Sequence, residues 1–168
     1  MDAMNEGNSK VAIALLDEAL QLDPSSVQAH HGLSAVYREI GNMARYREHT
    51  IKAYDETRKK FKKWPKELPW YDIDNREYHR SVFFRAGLHI EDGEIELGID
   101  LYRQLLSMNP DDNLGVRYYV AGLYAGKSMS EIEKKWQEAN EKQKWNVMEK
   151  MVEVENRKHH FWKKPKNR

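Results

Sequence analysis

Apolar residues recur three and four apart along most of this chain, the spacing of helices that bury one face. Val11, Ala12, Leu15, Leu16, Ala19, Leu20 and Leu22 mark a first helix from Gly7 to Pro24, because a proline disfavours helix in the residue before it. Ala29, Leu33, Val36, Tyr37 and Ile40 mark a second, closed by Gly41-Asn42. Met43, Tyr46, Thr50, Ala53, Thr57, Phe61 and Trp64 give a third and longer stripe of about six turns. WPKELPWYDIDN (64–75) then breaks the pattern, and its aromatic content predicts an ordered loop tucked against the helices. Helices follow from about Arg76 to Glu91, from Glu94 to Met108, and from after Asp112 or Asn113, either one a candidate N-cap, to Gly126. Ser128-Met129-Ser130-Glu131 is a capping box opening a last helix. With no Gly or Pro before Pro165, that helix is expected to run unbroken to about His160, with Ile132, Trp136, Ala139, Val147, Met151 and Val154 inward and Trp145, Met148 and Val152 on a second, exposed stripe. The expectation is about seven helices, a basic tail that frays from residue 161 to 168, and a single domain over 1–160 with an irregular insertion near 58–76.

Composition narrows the function classes. Lys+Arg total 28 against 27 Asp+Glu, so the whole chain is no general polyanion binder. There is no cysteine, which removes disulfides, thiol nucleophiles and Cys-ligated zinc. No apolar run reaches the roughly 20 residues of a membrane helix, and a cytoplasmic chain fits.

The chain also repeats itself. Aligned on Pro24 and Pro110, Gly7 falls on Gly93, Ala12 on Gly98, Leu16 on Tyr102, Ala19 on Leu105 and Leu20 on Leu106. A small residue at Ala12 or Gly98 lets two helices approach, a large one four positions on fills the groove, and the proline turns the chain back. This pattern resembles the tetratricopeptide repeat, a helix–turn–helix unit of about 34 residues. Gly7–Pro24 and Gly93–Pro110 look like second helices of that unit, and Val27–Ile40 looks like a first helix. The family's early Trp is missing, and the two prolines are 86 positions apart, where two repeats would give about 68. The surplus is the long third helix and the Trp/Pro loop. With no room for a first helix ahead of Gly7, the chain is expected either to open on a half-repeat or to be a fragment of a longer array. Residues 68–126 also resemble a repeat pair of bacterial tetratricopeptide proteins and of suppressor-of-tumorigenicity-type proteins, through Arg76, Tyr78 and Arg80 and then Asn109, Pro110, Asp112, Asn113, Gly115, Arg117 and Tyr118.

The resemblance implies an all-α, right-handed helical-repeat solenoid with a long C-terminal helix. It also implies a non-catalytic scaffold that binds a protein or peptide segment on its concave face. Carried onto this chain, the groove would use Gln28, His31, Ala35 and Arg38, then Arg80 and Phe84, then Arg117, Ala121 and Tyr124. Three Arg among aromatics suit an acidic partner. Against this stands the plainer reading that Arg80 and Arg117 bridge helices or satisfy the Asp111-Asp112 turn. The Lys/Asn set that clamps a chaperone tail is not at the matching positions.

Two basic–aromatic segments, 58–66 and 157–166, supply the alternative of an RNA-associated protein using phosphate contacts and stacking. The plainer account is packed aromatics and cations at helix ends. A homodimer through the last helix is a further expectation. Of seven histidines, the adjacent pairs point about 100° apart on a helix and do not chelate together, and no HExxH occurs. No nucleophile elbow, phosphate loop or dinucleotide fingerprint is present, so no catalytic residue, metal or cofactor is expected.

Overall fold

A computed structural model describes residues 3–165, with side chains from residue 8. The protein is all-helical: α1 (Ala3–Leu22), α2 (Val27–Glu39), α3 (Met43–Lys60), α4 (Asn75–Glu91), α5 (Ile95–Met108), α6 (Val116–Tyr124), α7 (Met129–Glu141) and α8 (Asn146–His159), with no strand among the described residues. None of these helices is long and apolar enough to cross a membrane. The chain divides into two compact units. Unit 1 comprises Met1–Trp64 and Asp72–Arg85, and unit 2 comprises Pro65–Tyr71 and Ala86–Arg168.

In unit 1, α2 packs against both α1 and α3. Pro24 ends α1, and the Asp23 carboxylate accepts from the amide and hydroxyl of Ser25 to shape the turn. Ser26 caps α2 by accepting from the Ala29 amide, and Asn42 caps α3 by accepting from the Arg45 amide. Val27, Ala29, Leu33, Tyr46 and Ala53 form the apolar core. Polar groups share it: Thr57 and Ser81 join α3 to α4 through a buried hydroxyl pair 2.7 Å apart. The third stripe stops earlier than its spacing predicts. Arg58 donates to the carbonyls of Phe61 and Lys62 and its guanidinium lies 4.3 Å from the Trp64 ring centroid, so the end of α3 is tied off by its own last turn.

In unit 2, α6 is the central helix and packs on α5, α7 and α8. Gly98 is where α5 meets the end of α4: a Cβ there would lie 2.8 Å from the Ala86 carbonyl oxygen and 2.4 Å from Ile90 Cγ1. The Trp/Pro loop docks through Leu68, 5% exposed, whose amide donates to the Met108 carbonyl at 2.9 Å. Its aromatics are not all tucked in, since Tyr71 is 81% exposed, and nor is Ile73. The N-cap expectation is corrected in a specific way. Gly115, with φ +69°, directly precedes α6, and the buried Asp112 reaches past it to accept from the amides of Val116 and Arg117.

The expected continuous last helix is two helices, giving eight among the described residues. The α7 end closes on Gln143 at φ +51°, with Lys144 N–H donating to Ala139 C=O and Gln143 N–H to Asn140 C=O. This is the Schellman pattern that α6 completes with Gly126, here made without a glycine. The break rotates everything after it. Val147 and Val154, expected inward, are exposed, while Met148 and Val152, expected outward, are buried at 1% and 3%. Trp145, at the break, stacks on Tyr118 and meets Trp136 edge-on. The start of the tail also departs from expectation. Phe161 is buried, and Trp162 donates through Nε1 to the Pro110 carbonyl while Asn156 brackets its backbone.

Candidate peptide-binding faces

Gln28, His31, Ala35 and Arg38 fall at i, i+3, i+7 and i+10 on α2, so one face carries all four. Glu77, Arg80 and Phe84 do the same on α4. Within unit 1 these two faces meet where the rings of His31 and Phe84 lie 5.1 Å apart, tilted by 30°. Gln28, Ala35 and Arg38 are exposed, and His31, Arg80 and Phe84 half-buried. The Arg38 guanidinium lies 5.8 Å from the Tyr46 ring centroid. Arg80 donates to Glu77 Oε1 at 2.8 Å, while Glu77 Oε2 is buried without a hydrogen-bond partner. Burial holds the His31 imidazole below its ordinary value; Glu77 opposes that effect and Arg80 adds to it. At one end of the face, Gln28 also lines an open hollow with Ser26, Lys59, Lys60 and Tyr78, where the Lys60 ammonium donates to the Tyr78 hydroxyl.

The two remaining candidates sit in unit 2, on α6, and both are engaged by α8. Arg117 is held between Asp112, 2.8 Å from Nη1, and Glu149, 2.9 Å from Nη2. The Tyr118 hydroxyl donates to the same Glu149 oxygen at 2.5 Å. Burial raises the Tyr118 phenol, and its bond to Glu149 raises it further. Burial pushes the Glu149 carboxyl up, but the donors Tyr118 and Arg117 outweigh it and leave it lowered. The Asp112 side chain is fully buried, which pushes its carboxyl up against three N–H donors from Val116 and Arg117. Tyr124 stacks flat on His159 of α8, with centroids 3.9 Å apart and planes 4° from parallel. The seven candidates thus divide into Gln28, His31, Arg38, Arg80 and Phe84 on one face of unit 1, and Arg117 and Tyr124 beneath α8 in unit 2. The sequence sets Arg117 close to the 111–112 turn but carries no signal for Glu149, thirty-two positions away.

The basic–aromatic segments are largely engaged in packing and ion pairs. Arg58 is bound to backbone carbonyls, Lys59 pairs with Glu56, Arg157 with Glu153 and Lys158 with Glu155. Among the described residues no group of three or more His, Asp or Glu is placed to hold a metal ion. No protein-family model, curated protein or solved structure matches the chain.

Proposed function

We propose that this protein is a non-catalytic, tetratricopeptide-like scaffold that binds a protein segment carrying acidic and apolar side chains. The α2/α4 face of unit 1 is its docking surface. The observation that carries this reading is the His31–Phe84 ring contact, which joins two helix faces into one surface with an aromatic floor and Arg38 exposed beside it. Arg38 supplies the cation for a carboxylate, Phe84 and His31 the apolar seat, and Gln28 a hydrogen-bonding end to the site. Arg80 is paired with Glu77, so the face prefers a segment with one or two carboxylates over a polyacidic one.

The test is an array of short peptides graded from acidic through neutral to basic, probed with the full chain and followed by fluorescence anisotropy on the best binder. Acidic peptides with a large apolar residue should be retained, more weakly at high salt. Phe84→Ala and Arg38→Ala should each lower affinity about tenfold or more. Equal binding by both variants, or a preference for basic peptides, would overturn the assignment. Salt-sensitive binding to generic RNA with no peptide retained would favour the basic segments over this face.

A further inference from the structure

The two units bury different chemistry. Unit 1 encloses His30, His49 and His79 at 6%, 6% and 1% exposure, and unit 2 encloses no histidine among the described residues. Two of these rings touch. His30 on α2 and His49 on α3 place their Nδ1 atoms 3.1 Å apart, with ring planes tilted by 40°. On its other side, His30 Nε2 lies 3.3 Å from the Pro24 carbonyl oxygen. A carbonyl only accepts, so His30 carries its proton on Nε2 and keeps a lone pair on Nδ1. The contact between the two Nδ1 atoms then needs its proton from His49. The pair is thereby assigned: His49 Nδ1–H donates to His30 Nδ1, and His30 Nε2–H donates to Pro24. Tyr37 stacks over the outer ring of this relay, 5.6 Å from His49.

We infer that this relay is an acid-sensitive latch between α2 and α3, so that mild acidification opens unit 1 while unit 2 keeps its packing. In the closed form neither ring has an easy place for a second proton. On His30 only Nδ1 is left, and a proton there would face the Nδ1–H of His49 across 3.1 Å. On His49 the proton enters at Nε2, keeps the donated bond, and puts a cation in a site 6% exposed. Burial accordingly holds both imidazoles below their ordinary value.

The surrounding charges do not reverse this. His30 is faced by Asp23 from the α1–α2 turn and by Glu48, Lys52 and Glu56 from α3. His49 is faced by His30 from α2 and by Arg45, Glu48 and Lys52 on its own helix. The carboxylates favour a cation, and Lys52 and Arg45 oppose it. Glu48 is bonded by both Lys52 and Arg45 at 2.7 Å, which holds its carboxyl at about 2, so its charge is constant through the range where the imidazoles titrate.

The sign follows from the direction of the shifts. The open chain takes up protons near the ordinary imidazole value of 6.5, before the closed unit does. The stability of unit 1 is therefore complete above about pH 7 and falls as pH drops through that value, until the closed rings also titrate. Each proton bound only by the open form raises the opening constant by up to about tenfold per pH unit.

Hydrogen exchange by mass spectrometry on the full chain, at about pH 7.5 and about pH 5.5, reads this without any peptide ligand. After correction for intrinsic exchange, amides of α2 and α3 should lose protection by about tenfold to a hundredfold, and those of α6 and α8 should keep theirs. Nitrogen-15 spectra at neutral pH should show His49 protonated on Nδ1 and His30 on Nε2. The double substitution His30→Asn with His49→Asn should weaken the pH dependence of α2–α3 exchange, leaving the share of His31, whose imidazole burial also lowers. Unchanged α2–α3 protection, equal loss in both units, reversed tautomers, or a pH dependence as steep in the double variant as in the wild type would each overturn the proposal. Should the double variant fold poorly, the wild-type exchange and the tautomers decide alone.

Discussion

Gly98 and Gly87 offer a paired test of how closely α4 and α5 approach. Both are helical glycines in unit 2, Gly87 inside α4 and Gly98 in the first turn of α5, and within a helix replacing glycine by alanine gains up to about 0.5–1 kcal/mol, because glycine loses more backbone freedom on folding. The structure splits them. At Gly87 a new Cβ meets only the Tyr102 hydroxyl, at 3.9 Å, an ordinary contact. At Gly98 it lands 2.8 Å from the Ala86 carbonyl oxygen and 2.4 Å from Ile90 Cγ1. A backbone carbonyl cannot rotate away as a side-chain tip can, so the two helices must part or Ile90 must leave its rotamer. Overpacking of that kind costs about 1–3 kcal/mol, which exceeds the propensity gain. Gly87→Ala should therefore stabilise by about 0.5–1 kcal/mol, and Gly98→Ala should destabilise by about 1–2 kcal/mol. The opposite signs are the decisive feature. Urea unfolding followed by tryptophan fluorescence and far-ultraviolet circular dichroism measures both, with unchanged slopes showing that the same transition is compared. A folded Gly98→Ala protein at or above wild-type stability would refute the close α4–α5 packing described here.

Three further outcomes are expected. Gln143→Gly should stabilise by about 1 kcal/mol by relieving the left-handed backbone at φ +51°, whereas a continuous α7–α8 helix would lose about that much; thermal melting separates the two. Asp112→Ala should destabilise by about 3 kcal/mol, since it removes a fully buried carboxylate from the Val116 and Arg117 amides and from the Arg117 guanidinium, and a loss below about 1 kcal/mol in urea unfolding would remove that network's importance. The Glu48 carboxyl should titrate at about 2 by NMR, lowered by hydrogen bonds from Lys52 and Arg45, and Lys52→Ala should move it toward its ordinary 4.5. Any stability it adds is present above 4.5 and lost as pH falls toward 2, and titration of wild-type Glu48 near 4.5 would show the bridges to be absent in solution.

What the chain determines by itself is local. Pro24 ends α1; Gly41 and Gly126 end α2 and α6; Ser26 and the Ser128–Glu131 box start α2 and α7. The period of its apolar residues names the buried faces of α2 and α3, but not of α1, where Val11, Leu15 and Leu22, expected inward, are exposed. The role of Gly98 as a close-approach position was also legible, because a small residue in a helix stripe has one common packing reason. The tertiary structure decided the rest. Gln143 adopts a glycine's conformation with nothing in its residue type to announce it, and the packing of Trp145 against Tyr118 and Trp136 accompanies the break. Once the phase shifts there, Met148 and Val152 turn inward and Val147 and Val154 turn outward, while Met151 stays half-buried. Of the candidate site, the α2 and α4 faces follow from helical spacing, but their meeting at His31 and Phe84 does not. Nor does the engagement of Arg117 and Tyr124 by α8, or the contact of His30 with His49. Each joins residues far apart in sequence, and periodicity within one helix holds no information about which side chain of another helix will face it.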